Sequence, residues 1–258
     1  MEDLTQLRFQ LDGHVATLTM DAPPVNALTR ILNDELVLAL DRICEMDEVR
    51  AVVLTGAGKQ FCAGADLKGR AAVIQGPGDM GAHARRTREC FHAIRECAKP
   101  VVAAVNGAAL GSGLAMVASA DIIVVSEAAA LGLPEVDVGL MGGARHAMRL
   151  FSHSRLRRMV LTGMRVKGEE LYRLGIVEAC VPPAALLQTA LDIAQVIASK
   201  SPVSTRMGKH TMNLIEDMSL RDGYRYEQDM TAQIGKSEDA KEAQRAFAEK
   251  RAPVFTGR

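Results

Sequence analysis

Two stretches of this chain are apolar at almost every position and close in a glycine turn: Ala51-Val-Val-Leu-Thr55 before Gly56, and Val101-Val-Ala-Ala-Val105 before Asn106-Gly107. A strand with one wet face alternates apolar and polar residues. A strand with no polar face is covered on both sides, the condition of a mostly parallel sheet flanked by helices. Asp121-Ile-Ile-Val-Val-Ser126 has the same character, and His14-Val-Ala-Thr-Leu-Thr-Met20 suits a half-buried strand. Parallel strands need long crossovers, and the intervening sequence supplies helices. Thr29 offers an N-cap, and Leu28, Ile31, Leu32, Leu36, Ala39, Leu40 and Ile43 then recur at three- and four-residue spacing.

Between the two apolar strands lies Gln75-Gly-Pro-Gly-Asp-Met-Gly81, read as a mobile loop, followed by a helix over 82–98 that Pro100 ends. Beyond about Arg145 the strand signals nearly vanish, apart from Ile176 to Val181. Pro182-Pro183 opens a helical pattern to Lys200, Pro202 opens another, and 219–234 and 237–251 read as helices. The chain is α/β first and helical last.

With 258 residues, 48% of them hydrophobic, the chain has the composition of a folded globular protein. Its 31 Lys and Arg balance 31 Asp and Glu, which removes the basic surplus that a nucleic-acid binder needs. Five cysteines, Cys44, Cys62, Cys90, Cys97 and Cys180, form no C-x-x-C pair and sit in apolar segments. They read as reduced, packed thiols of a cytoplasmic protein rather than a disulfide frame or a metal site. The acidic opening Met1-Glu2-Asp3-Leu4 lacks the apolar core of a signal peptide, and the longest apolar run, 101–118, is broken by Asn106 and three glycines. No membrane span is expected.

Generic signatures fail. Gly56-Ala-Gly58 opens like a dinucleotide fingerprint, but Phe61 stands where its third glycine belongs. Ser112 falls where a nucleophile elbow would place it, yet Leu110 and Leu114 occupy the elbow's glycine positions. Two glycine-rich turns remain, Phe61-Cys-Ala-Gly-Ala-Asp-Leu67 and Asn106-Gly-Ala-Ala-Leu-Gly-Ser-Gly113. Each follows a buried strand, lets a ligand approach the backbone and leaves peptide N–H groups free at a helix start. Each also reads as a tight strand-to-helix connection.

The chain resembles the enoyl-CoA hydratase/isomerase (crotonase) superfamily. The resemblance rests on Phe61-Cys-Ala-Gly-Ala-Asp-Leu-Lys68, Lys99-Pro-Val-Val-Ala-Ala-Val-Asn-Gly107, Ala120-Asp-Ile122, Leu133-Pro-Glu-Val136 with Gly139, and Phe247-Ala-Glu-Lys-Arg251. It implies an α/β fold, a spiral of ββα units over 1–195, and a C-terminal helical region over 196–258 that builds homotrimers or dimers of trimers. It implies an acyl-CoA thioester as partner, with coenzyme A as part of the substrate and no separate cofactor or metal.

By the same resemblance, the backbone N–H groups of Ala65 and Ser112 hold the thioester oxygen, and Glu135 is the acid/base. Ala63, Gly64, Asp66, Leu67 and Gly111 line the substrate, Lys68 assists with phosphate, and Phe247 and Lys250 approach the nucleotide end. The loop 69–81 shapes the acyl pocket, and the basic run Arg85-Arg-Thr-Arg88 reads either as a contact for phosphates or an acidic acyl group or as a solvent-facing helix surface. Two departures matter. Ala115 stands where hydratases of the family carry a first glutamate, leaving Glu135 alone to move protons. Gly142-Gly-Ala-Arg-His146 replaces a Pro-Gly-x-Gly-Gly run, so Arg145 and His146 become candidate substrate contacts or helix-capping residues. Asp137, two residues along an extended segment from Glu135, would face the same side. Three readings stay open: a hydratase or isomerase working through Glu135, a thioester hydrolase using Ser112 with His146 or His92, and a non-catalytic acyl-CoA binder.

Overall fold

A computed structural model describes residue 1 and residues 3–258. Among the described residues the strands are β1 (Leu7–Asp12), β2 (Val15–Met20), β3 (Ala51–Gly56), β4 (Val101–Val105), β5 (Ala108–Leu110), β6 (Ile122–Ser126), β7 (Ala130–Gly132), β8 (Arg165–Lys167) and β9 (Ala179–Val181). Six form one sheet in the order β1-β2-β3-β4-β6-β9, parallel from β2 onward with β1 antiparallel at the edge. The register sets Val52 beside Val101 and Val102 beside Ile122. The other three form a small sheet, β5-β7-β8.

The helices are α1 (Arg30–Glu45), α2 (Leu67–Val73), α3 (Asp79–Glu96), α4 (Ser112–Ser119), α5 (Ala144–Ala147), α6 (His153–Thr162), α7 (Gly168–Arg173), α8 (Leu186–Ala198), α9 (Pro202–Ile215), α10 (Leu220–Ile234) and α11 (Glu238–Ala248). Thr29 caps α1 as its sequence predicts, its side chain accepting from the Leu32 N–H at 3.0 Å. The α1 stripe Leu32, Leu36, Ala39, Leu40 and Ile43 is fully buried in the main core.

The apolar strands are covered on both faces. Leu18, Val52, Leu54, Ala103 and Val105 point into the larger core, while Val15, Val53, Val102, Ala104 and Val124 meet α8. Helix α8 can lie close because Ala190, Ala194 and Ala198 recur every fourth residue on its inner face. The 195/196 division expected from sequence falls inside this helix, whose last turn still rests on the sheet.

The spiral is visible in the hydrogen bonding. After each inner strand the chain makes a short segment in a second layer and then a helix. The turn after β2 brings Leu28, that after β3 brings Cys62 and Ala65, that after β4 brings β5, and that after β6 brings β7. Isolated bridges join Leu28 to Ala65 and Cys62 to Ala109, and β5 pairs with β7. Residues that leave this layer on successive turns are therefore stacked beside one another.

Four details differ from the sequence expectations. β8 has a single apolar residue to announce it, and β1 alternates Leu7, Phe9 and Leu11 ahead of the first strand expected from the sequence. The expected loop 69–81 contains α2, with Asp66 as its cap, and α3 starts at Asp79 rather than at 82, leaving only 74–78 irregular. Residues Pro134–Val138 are a 3₁₀ turn, not an extended segment, with proline at its first position. Ala179–Val181 is a shorter strand than 176–181. The five cysteines are free, with Cys62, Cys90 and Cys97 buried and Cys44 and Cys180 half-buried.

The helices after α8 attach through polar anchors. Lys209 of α9 is buried, with Nζ donating to the carbonyls of Ile94 and Lys99 at 3.2 Å each and pairing with Asp121 at 2.8 Å. Helix α10 packs on α9 and leaves Leu220 and Tyr224 exposed. Among the described residues, no helix is long and apolar enough to cross a membrane.

Candidate active site

Three successive turns of the spiral deliver the site. Ala65 leaves the second layer on one turn, Gly111 and Ser112 follow β5 on the next, and Glu135 follows β7 on the third. Gly64 has φ +107° and Gly111 φ +55°, so both sit where an L side chain is strained. Both are also crowded. A Cβ on Gly64 would lie 3.1 Å from the Leu110 carbonyl oxygen, and one on Gly111 would lie 2.7 Å from Glu135 Oε1 and 3.9 Å from the Gly64 Cα. The two glycine turns thus touch, with the Glu135 carboxylate against them.

The backbone there has amides to spare. Leu28 donates to the Gly64 carbonyl at 2.8 Å, and Asp66 donates to the Leu28 carbonyl at 3.3 Å. Strand alternation then turns the Ala65 N–H the other way, and among the described residues it donates to no protein acceptor. Ser112 opens α4, where the first backbone N–H to find a helical acceptor is that of Ala115, bonded to Gly111 at 3.0 Å. The Ser112 N–H is left over by helix geometry and lies at the positive end of the helix dipole.

A cavity of about 660 Å³ opens on these groups, within the size range of small-molecule sites. Ala63, Gly64, Ala65, Leu67, Gly111, Ser112 and Glu135 all line it. Glu135 is held by its 3₁₀ turn, which Leu140 closes by donating to the Glu135 carbonyl at 2.8 Å. Its Oε2 is buried with no hydrogen-bond partner. Burial pushes this carboxyl above the usual glutamate range. Ala115 also lines the cavity and is fully buried, so no acid stands at that position.

Other candidates fall elsewhere. Asp66 does not line the cavity; its carboxylate caps α2 by accepting from the Gly69 N–H at 3.0 Å. Lys68 is exposed on α2, outside the lining. Phe247 ends α11 in solvent and Lys250 follows it, neither reaching the cavity within one chain. Arg145 turns outward to pair with Asp217 at 3.2 Å. His146 does line the cavity, its ring edge-on to Phe91 with centroids 4.9 Å apart. Burial, then His92, Arg149, Arg145 and Arg95 in that order, push His146 below the usual histidine value. Asp137 is at the rim, but the 3₁₀ turn aims its carboxylate at Gly163 rather than alongside Glu135. His92 is not in the lining, and no histidine is hydrogen-bonded to Ser112 among the described residues.

One wall of the cavity is a helical face of which the sequence points only to Arg88, within the run 85–88. Met80, His83, Ala84, Thr87, Arg88 and Phe91 form a single stripe of α3. Their three- and four-residue spacing is the available signal, since it places them on one face.

Comparison with known proteins gives a consistent result. The enoyl-CoA hydratase/isomerase family model matches residues 10–258. A hydrolase of (7aS)-7a-methyl-1,5-dioxo-2,3,5,6,7,7a-hexahydro-1H-indene-carboxyl-CoA from Rhodococcus jostii is 37% identical over 226 residues, covering 86% of each chain. The short-chain-enoyl-CoA hydratase of Clostridium acetobutylicum is 33% identical over 258 residues, covering 96% of this chain and 97% of that one. The crystal structure of an enoyl-CoA hydratase from Bacillus anthracis superposes with a TM-score of 0.92 at 31% identity, covering 98% of this chain and all of the other.

Proposed function

Because the chain belongs to the enoyl-CoA hydratase/isomerase family, we propose that it transforms an unsaturated acyl-CoA with Glu135 as its single acid and base. The thioester oxygen sits between the amides of Ala65 and Ser112. Proton loss at the α-carbon of a 3-enoyl thioester sends the C–H electron pair into a dienolate, whose charge gathers on that oxygen. Each preorganised donor there lowers the barrier by about 2.7–4 kcal/mol. Glu135 takes the α-proton and returns it at the γ-carbon, moving the double bond into conjugation. In hydration the same carboxylate takes a proton from water as its oxygen adds to the β-carbon, and returns it at the α-carbon. One base suffices for the first reaction and serves the second less well, because two carboxylates would otherwise divide the work.

The observation that supports this reading is the Glu135 carboxylate, its Oε1 against Gly111 and its Oε2 buried without a partner among the described residues, with alanine at 115. A carboxylate oxygen buried without a partner is costly unless its chemistry is used. Coenzyme A is part of the substrate and is held along 63–67. The C-terminal helices join copies of the chain into trimers or pairs of trimers, covering apolar groups such as Leu220.

The test is incubation with matched 2-enoyl- and 3-enoyl-CoA thioesters while hydration, isomerisation and CoA release are followed together. Glu135→Gln is expected to lower kcat by about 10²–10⁴-fold with thioester affinity retained. Normal turnover by the variant overturns the assignment. A second reading, hydrolysis, is favoured by the name of the Rhodococcus relative, and thioester hydrolysis would appear as release of free CoA. Ser112 has no histidine bonded to it to act as its base, so the hydrolytic reading also turns on Glu135, activating water.

A further inference from the structure

We propose that the cavity accepts an acyl group bearing a carboxylate remote from the thioester, and that Arg88 binds this carboxylate. The proposal rests on the acyl-CoA reading above and names the substrate class within it.

Charge pairing elsewhere sets the contrast. On α3 itself Arg86 pairs with Asp34 at 3.3 Å and Arg95 with Glu216 at 3.0 Å, while Arg149 pairs with Glu216 at 2.8 Å. Among the described residues, the three arginines that line the cavity, Arg70, Arg88 and Arg165, have no carboxylate in ion-pair contact. The acids in the same lining are not available to them. Glu135 lies against Gly111, and the Asp137 oxygens lie 2.9 and 3.1 Å from the position a Gly163 Cβ would take. The wall therefore carries cations whose counter-charge must come from solvent or from the ligand. His83, in the same lining, is pushed below its usual value first by burial and then by Arg70 and Arg86.

Position separates Arg88 from the other two. The stem of Arg165 packs over Gly132, beside Leu110 and hence next to the turn that holds the thioester. Arg70 faces two chambers, since it also lines an adjoining cavity of about 540 Å³ together with Arg30 and Arg86. Arg88 lines the main cavity and not the adjoining one, on the helical wall and one turn before Phe91, whose ring meets His146. Guanidinium presents a planar fork that matches a carboxylate bidentately, which an aliphatic acyl end cannot use. The phosphates of coenzyme A are the other anions within reach of this wall, and the experiment separates them from an acyl carboxylate.

The probes are matched saturated acyl-CoA pairs of graded length, one member ending in methyl and the other in carboxylate, titrated calorimetrically into the full chain. Wild type is expected to bind the carboxylate member of at least one pair about tenfold tighter or more. Arg88→Met keeps the aliphatic stem and is expected to weaken that member about tenfold more than its methyl partner, with Arg88→Lys recovering part of the difference. Equal affinities within every pair for wild type overturn the proposal, whatever the variants do. Equal weakening of both members by Arg88→Met also overturns it, because the residue then serves a phosphate common to both. Absence of binding by every thioester overturns the acyl-CoA reading and the proposal with it, and so is distinguished from its failure alone.

Discussion

Replacing Ala115 by glutamate tests whether the lack of a second acid sets the chemistry. Ala115 is fully buried, lines the cavity and stands one helical turn beyond Gly111. Helical Cα–Cβ bonds lean toward the N-terminus, so a side chain at 115 points back over Gly111. Glu135 Oε1 waits there, 2.7 Å from where a Gly111 Cβ would be. A glutamate at 115 reaching back over that turn would bring the two carboxylates to roughly 5 Å, a spacing that paired catalytic carboxylates occupy. At that separation and an effective dielectric near 20, two unit charges repel by about 3.3 kcal/mol. The repulsion separates two ionisations of the pair by about 2.4 pH units. One carboxyl then stays protonated near neutral pH while the other is ionised, the division of labour that syn addition of water requires. The added bulk costs about 1–3 kcal/mol of stability. The variant is expected to raise the ratio of hydration to isomerisation by about tenfold or more, with a second ionisation in its pH–rate profile. Product ratios by chromatography, the pH profile and a thermal melt form the assay. A folded variant that shows the second ionisation yet keeps the wild-type ratio refutes the reasoning.

Four further outcomes follow from the packing and charge. Glu135 has its pKa raised by burial, so the folded state holds that proton more tightly than the unfolded chain. Its contribution to stability is full at acid pH and is lost as pH rises through the raised value; Glu135→Gln should therefore melt above wild type at pH 7 and converge with it at low pH, and a lower melting point at pH 7 contradicts this. In the same titration, the acid limb of kcat/KM should lie above the midpoint of an exposed glutamate, because the base form is the active one. Lys209→Met leaves Asp121 only its bond from the Val101 N–H and strands the carbonyls of Ile94 and Lys99; a loss of about 3 kcal/mol is expected in urea unfolding, and a loss below 1 kcal/mol would show the anchor to be dispensable. Gly113→Ala would set a methyl on the Cys62 carbonyl oxygen; it should cost about 1–3 kcal/mol and cut kcat more than it weakens binding, by moving the Ser112 turn away from 62–65.

Signals that act over a few residues were readable in the sequence. The Thr29 cap and the apolar stripe behind it define α1, and the doubly covered strands β3, β4 and β6 show as unbroken apolar runs. β5, β7 and β8 were not readable, because three residues of Ala, Gly, Leu, Val, Arg or Lys carry no period, and their pairing depends on turns of chain far away. The segment at Glu135 reads as extended unless Pro134 is taken as the first residue of a helical turn, which it is. Glu135, Ala65 and Ser112 entered through the motifs that resemble a family, whereas Asp66 sits in the same motif and turns out to cap a helix. Arg88 lay in a visible basic run on a visible helix. Periodicity tells which residues share a face, and only the packed chain tells what that face meets.

Helix α3 is tethered unevenly. Its last turns bury Cys90, Phe91 and Ile94, and its final carbonyls accept from Lys209 and from Asn213 at 2.7 Å. Its first half buries no residue and is steadied from outside by Asn33, which donates to the Arg86 carbonyl at 3.1 Å, and by the Asp34–Arg86 pair. The wall of the chamber is thus a plank nailed at the end nearest Phe91 and resting loosely at the other. Substitutions, insertions or deletions around 74–84 can resize the compartment for an acyl tail without shifting the carboxylate or the two amides. The room in the chamber and the placement of its acid are thereby set by separate pieces of the chain, the first by the first half of α3 and the second by the turns at 65, 112 and 135.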